Sequence, residues 1–284
     1  MALPIYLSLG SYLRACRAAV RPSDLALFDD GRRRRVPGLR REELAAAANV
    51  SIDYLTEIEQ GRRRHVSRPV LAALAQALRL SGDQREYLFA IAHPESAPTG
   101  TAESPADVPA HVGALLNGLS SVPAVVLNHR WDVMSWNGCA AALLADFDAI
   151  PAGHRNLVRM VFLSREYRQL FGTNWETWAR EAVSTIRWEA AHHPDDCALD
   201  ALIREMHDRS EDFSAWWREQ TVSAAKPRRK VFHHPAAGSI AMDVQPFAVL
   251  GRPELSLRTY TAAPDPASQR ALRSLTRVVP AAPG

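Results

Sequence analysis

Apolar residues recur at helical spacing through the first ninety residues. Leu9, Leu13, Cys16 and Val20 stand at i, i+4, i+7 and i+11 and predict a helix that Pro22 stops. A polar loop follows. The stretch 39–64 then reads as two short helices around a tight turn. Leu39, Leu44, Ala45 and Ala48 share one face of the first, and Leu55 and Ile58 mark the buried side of the second. Asn49, which tolerates left-handed backbone, sits at the corner. Ser51 is placed to cap the second helix and Gly61 to end it. Ser67 and Pro69 open a fourth helix that buries Val70, Leu71, Leu74 and Leu78. Ser81 opens a fifth, with Tyr87, Leu88 and Ile91 inward. The prediction is an all-α five-helix bundle over residues 1–93, built around a helix-turn-helix.

Periodicity then stops. Residues 94–110 are rich in Pro, Ala, Ser and Thr and read as an extended linker. A second domain over 111–284 opens with two strands, Ala124–Asn128 and Trp131–Trp136, around a turn at His129–Arg130. Gly138 to Phe147 reads as helix. So does most of His154 to Gln220, with breaks near Gly172, Pro194 and Ser210. Strands return at Lys230–His234, Ser239–Val249 and Glu254–Thr261, where Ile240, Met242 and Val244 alternate as one buried face requires. A last helix covers Pro266–Val278. The fold class is multi-domain: the helical bundle, then an α+β domain with an antiparallel sheet and helices inserted between its second and third strands.

Charge sharpens this division. Residues 1–92 carry fifteen Arg and ten Asp plus Glu, about +5, of totals of 34 basic and 31 acidic residues. The remainder holds nineteen bases against twenty-one acids, about −2. A basic module on a near-neutral body fits a nucleic-acid reader joined to another domain. Cys16, Cys139 and Cys197 have no paired spacing, which argues for a reducing compartment. The N-terminus lacks the pattern of a signal peptide, and no apolar run approaches the ~20 residues of a membrane span. A cytoplasmic protein without a membrane partner is expected.

In a helix-turn-helix the early exposed positions of the second helix reach base edges. Here those are Ser51, Ile52, Asp53, Thr56 and Glu57. Asp53 and Glu57 repel phosphates but can accept from cytosine N4. Arg34, Arg35, Arg40, Arg41, Arg62, Arg63 and Arg64 flank the motif and are placed to contact phosphates. In the second domain all seven tryptophans lie between Trp131 and Trp217. Such clusters ordinarily build core. Several lie among polar partners, however, so an apolar cavity holding an amphiphile with an anionic head is the alternative. His192, His193 and Cys197, and the pair His233–His234, match no common zinc spacing. No nucleophile elbow, P-loop or dinucleotide fingerprint occurs. No catalytic residue, metal or cofactor is assigned, and the chain is not read as an enzyme.

The runs RRRRVPGLRREELA, VSIDYLTEIEQGR and SRPVLAALAQALRLSGDQREYLFAIA, followed by PAVVLNHRWDVMSWN, RNLVRMVF, NWETWAREAVSTIRWEA, SEDFSAWW, KVFHHPAAGSIAM and LSLRTYTAAP, resemble the MmyB-like bacterial transcription regulators over about residues 7–275. The resemblance implies an XRE/Cro-type DNA-binding bundle and a PAS-like ligand-binding domain. It implies a structural pair between Glu59 and Arg17. It places Asn137, Asn156, Trp175 and Arg187 in recurrent motifs, either lining a pocket or holding the fold, with Arg187 or Asn156 the choice for a ligand head group. Glu57, where the family often has a basic residue, and Asn49, where it usually has Gly, are departures. The expectation is a sequence-specific, homodimeric regulator of a double-stranded operator, modulated by a fatty acid or other small apolar ligand. The alternative makes the second domain a dimerisation or partner-docking module.

Overall fold

The computed structural model describes residues 8–21, 38–63, 65–94 and 108–276. Within them lie α1 (Leu9–Ala19), α2 (Arg41–Ala47), α3 (Ile52–Glu59), α4 (Arg68–Ala77), α5 (Gly82–Ala92) and α6 (Ala110–Gly118). After these come β1 (Ala124–Asn128), β2 (Val133–Trp136), α7 (Gly138–Leu143), α8 (Leu157–Leu163), α9 (Arg165–Phe171) and α10 (Trp175–His192). The chain continues with α11 (Cys197–Arg209), α12 (Glu211–Arg218), β3 (Arg228–His234), β4 (Gly238–Val249), β5 (Arg252–Ala262) and α13 (Pro266–Thr276). Contacts divide the chain into two compact units. The first comprises Met1–Pro98, Val183–Ile203 and Ser214–Ala224; the second comprises Thr99–Ala182, Arg204–Phe213 and Ala225–Gly284.

The helix-turn-helix forms for the reasons its residues suggest. Asn49 takes φ 52° and turns the chain, while the Val50 amide donates to the Ala45 carbonyl at 2.9 Å. The Ser51 hydroxyl accepts from the Tyr54 amide at 3.1 Å and caps α3. Gly61, at φ 71°, lets the Arg62 amide fold back onto the Glu57 carbonyl at 2.9 Å and ends the helix. At Gly10, α1 comes so close to α3 that a methyl group would strike the carbonyl oxygen of Glu59. Ser81 and Gln84 form a reciprocal capping box at the start of α5.

The second unit holds a five-stranded antiparallel sheet in the order β2-β1-β5-β4-β3. The helices between β2 and β3 are inserted as expected, which gives the PAS-like layout. Ile240, Met242 and Val244 are all buried. On one face α6 packs Val112 and Leu116 against Val126, Leu255 and Leu257.

Several expectations change. The strand expected from Trp131 begins at Val133, because Trp131 takes φ 66°. The Asn128 side chain draws the turn tight by accepting from the Arg130 and Asp132 amides at 3.0 and 2.9 Å. The helix expected over 138–147 ends at Leu143. A further break occurs at Ser164, whose hydroxyl caps α9 by accepting from the Tyr167 amide. Helix α6 was not expected at all, since it presents only two fully buried apolar positions, Val112 and Leu116. Of the linker expected over 94–110, residues 95–107 lie outside the described residues, and its end is taken up by the start of α6 at Ala110; the end of the last helix at 277–278 also lies outside them.

Candidate DNA interface and ligand chamber

Glu59, at the end of α3, organises the bundle from within. It is buried, and Arg17 grips it through Nε to Oε1 at 2.7 Å and Nη2 to Oε2 at 3.2 Å. Arg41 adds an Nε contact to Oε2 at 2.7 Å. Burial alone would raise the pKa of Glu59, but the hydrogen bonds from Arg17 and Arg41 outweigh it and hold the carboxyl below its ordinary value. Arg17 also donates to the Leu39 carbonyl, and Arg14 to the Glu59 carbonyl, so α1, α2 and α3 meet at one charged node. Arg41 is thus part of the bundle's internal bracing.

The other expected DNA contacts fall into groups. Ser51, Ile52 and Asp53 are exposed on the first turn of α3, and Thr56 is half-buried behind them. Glu57 is paired with Arg63 at 2.7 Å, and the Arg63 guanidinium lies 4.8 Å above the Tyr54 ring. Arg62 is exposed beside Gly61, and Arg40 precedes α2, where its amide donates to Glu43 at 2.7 Å. Arg34, Arg35 and Arg64 lie outside the described residues.

The four residues expected at a ligand are placed differently. Asn137 caps α7 by accepting from the Ala140 amide at 2.9 Å. It also accepts from the Ala124 amide and donates to the Leu119 and Val122 carbonyls. Asn156 caps α8, accepts from the Val158 and Arg159 amides, and donates to the Arg130 carbonyl and to Asp132. With that capacity used, both amides act as joints of the chain. Burial would push Asp132 up, yet the hydrogen bonds from Asn128, Asn156 and Arg130 hold it below its usual range. The Trp175 indole donates to the Val161 carbonyl at 2.7 Å. Arg187 is 0% exposed, in the first unit. It donates to the Trp217 carbonyl and the Gln220 side chain, and its guanidinium lies 4.0 Å over the Trp217 ring. None of the four lines either of the cavities described next.

A small aromatic chamber of about 20 Å³ lies between the sheet and the helices of the second unit. Trp131, Tyr167, Phe171, Trp178, Phe232 and Tyr260 form most of its wall. Lys230 and Arg258 also line it. Each alternates with an aromatic residue two positions on, Phe232 and Tyr260, because side chains at i and i+2 share one face of a strand. The Arg258 guanidinium lies 4.4 Å over the Trp131 ring and the residue is 7% exposed. The Lys230 ammonium lies 4.4 Å over Trp178 and 3.7 Å from Glu181, with the side chain 12% exposed. Burial drives the lysine pKa down to about 8, against the pull of Glu181. Two cations thus face one neighbouring carboxylate. Tyr167 also borders an open groove of about 390 Å³ lined by Leu144, Ile150, Met160 and Leu163, with Arg159 and Arg209 at its edge. Both of those arginines are paired with Glu205 at 2.8 Å.

The MmyB-like transcription regulator ligand binding domain matches residues 108–275, more than half of the chain. The chain belongs to this family. A helix-turn-helix domain matches residues 8–88, the segment that carries the Glu59 node and the exposed turn of α3. A comparison with curated proteins found no match. The family member is therefore a transcription regulator, with a DNA-binding bundle and a domain that takes a small-molecule ligand. Neither of the matched families is enzymatic. Among the described residues no helix is long and apolar enough to cross a membrane, and no group of three His, Cys, Asp or Glu is placed to hold a metal.

Sequence reasoning missed Lys230 and Arg258. The available signal was a cation alternating with aromatic residues on strands otherwise read as buried, in the runs KVF and RTY.

Proposed function

We propose that this regulator binds a double-stranded operator as a homodimer, and that a small anionic amphiphile, fatty-acid-like in chemistry, changes its DNA affinity. The observation that carries the ligand reading is the charge balance of the aromatic chamber. Arg258 and Lys230 leave one positive charge in excess over Glu181, in a setting where desolvation makes an uncompensated charge costly. A carboxylate relieves that cost. The chamber itself has room for about one water, so an alkyl chain must lie in the neighbouring groove, whose size is that of a ligand site. Tyr167, common to both, is the residue that has to yield. A ligand that binds two conformations of the protein unequally then shifts the DNA-competent population.

The dimer reading rests on exposed apolar residues. Leu115 on α6 and Phe247 on β4 are exposed, and Phe247 pairs in register with Leu257, so it shares the sheet face that α6 covers. A second copy would cover this face and pair two bundles on two half-sites. Should the chamber prove unable to take a ligand, this face supports the second domain as a dimerisation module.

The test is native mass spectrometry of the full chain, with and without added dodecanoate, followed by the same measurement on Lys230→Met and Arg258→Met. A one-to-one adduct that both substitutions weaken by about tenfold or more supports the reading. Adducts of equal occupancy in all three proteins rule out this chamber as the head-group site.

A further inference from the structure

The front of the recognition helix carries unusual chemistry for a DNA reader. Leu55, Ile58 and Glu59 fix the buried side of α3. At about 100° per residue, Asp53 and Glu57 point directly away from that side, and Thr56 and Ile52 lie on one flank of the helix. The most advanced side chains are therefore two carboxylates. Glu57 is neutralised by Arg63, which is itself held over Tyr54. Asp53 has no side-chain hydrogen bond or ion pair among the described residues. It stands in a first turn already set by the Ser51 cap and the Asn49 corner. Ile52, next to it, is 49% exposed, one of the few large apolar side chains so exposed among the described residues.

A carboxylate in the major groove meets favourable partners only where the bases present donors. Guanine shows two acceptors and thymine shows O4, so both repel it. Adenine offers its N6 amino group, but beside the acceptor N7. Cytosine offers N4 with only a C–H edge next to it. An exposed isoleucine has its match in the thymine 5-methyl group, the apolar feature of the groove. We infer that the half-site read by α3 contains a cytosine whose N4 amino group donates to Asp53, and, at a neighbouring step, a thymine whose methyl group packs on Ile52. This rests on the DNA-binding reading and adds the base chemistry to it. Glu57, held by Arg63, serves to orient that arginine.

The experiment is enrichment of random double-stranded DNA by the full-length protein and by Asp53→Asn and Ile52→Ala, with melting curves to show that both variants fold. An asparagine pairs with adenine through N6 and N7. The expected result is a wild-type motif with one strongly selected cytosine that becomes adenine in Asp53→Asn, with the other positions unchanged. Binding of that variant to the wild-type site falls by about tenfold. Replacing the neighbouring thymine by deoxyuridine weakens wild-type binding several-fold and leaves Ile52→Ala unaffected. The inference is overturned if Asp53→Asn enriches the wild-type motif, or if wild-type protein binds deoxyuridine as well as thymine. If the wild-type protein enriches no sequence and shows no salt-dependent DNA affinity, the DNA-binding reading falls with it.

Discussion

Single carboxylates and cations decide most of what this molecule can do. Glu59 accepts from two arginines on two other helices, so its removal strands partly buried guanidinium groups rather than one exposed pair. Glu59→Ala is expected to cost about 2–3 kcal/mol in chemical denaturation of the full chain, less than a fully buried triad because Arg41 is 43% exposed. The pH dependence follows from the depressed folded pKa of Glu59. Its contribution is complete above the unfolded carboxyl value, about 4.5, and is lost as pH falls through the lower folded value. Stability should therefore drop on acidification below that range, and the drop should be smaller in Glu59→Gln. Lys230 works in the opposite sense for ligand binding. The free site holds its proton up to about pH 8, so carboxylate affinity should fall as pH rises beyond that point, by up to tenfold per unit. Calorimetry with dodecanoate at pH 7 and pH 9.5 checks this, and Lys230→Arg should flatten the profile.

Elements here are positioned by close approach as much as by apolar burial. Gly10 is the second residue of α1, in its first turn, where alanine would ordinarily favour the helix by up to about 1 kcal/mol. A Cβ at this position meets backbone atoms of α3, the Ile58 carbonyl oxygen included, at 2.9 Å. Backbone cannot yield as a flexible side chain does, so the clash decides the sign. Gly10→Ala should destabilise by about 1–3 kcal/mol in thermal melts and should weaken DNA binding through displacement of α3. The helix boundaries were readable where side chains cap, as at Ser51 and Ser81. They were misread at Ser164, where one serine ends α8 and caps α9 within an unbroken apolar pattern. The start of β2 was also misread at Trp131, whose left-handed backbone belongs to a tight turn in which its amide donates to the Asn128 carbonyl at 2.9 Å.

At the scale of the whole molecule, the basic N-terminal segment predicts how binding responds to salt. If six phosphates are neutralised, affinity for an operator should fall roughly a thousandfold between 50 and 200 mM salt, measurable by fluorescence anisotropy. Arg41 should contribute less to that slope than exposed Arg62, about one unit, since its guanidinium is tied to the Glu59 carboxylate that it shares with Arg17. Arg187 belongs to the same scale, because its role depends on what surrounds it. A guanidinium at 0% exposure between Trp217 and Gln220 holds separate helical segments of the first unit together, which no single element reveals.

Local chemistry was enough to settle the order of the five strands, the corner at Asn49, the caps of α3 and α5 and the alternation along β4. Each depends on residues within a turn or a strand of one another, and spacing reports such relations directly. The family resemblance was carried by motifs, and the Glu59–Arg17 pair came with it. Tertiary structure alone decided which polar residues spend their hydrogen bonds on the fold and which face a cavity. Asn137 and Asn156 look like binding residues in sequence, but they close loops whose partners lie up to 26 positions away. Lys230 and Arg258 are separated by a whole hairpin, and they share a chamber with Trp131 and Trp178 only because the sheet and the inserted helices converge. Burial and charge balance are properties of that convergence, and a linear pattern does not contain them.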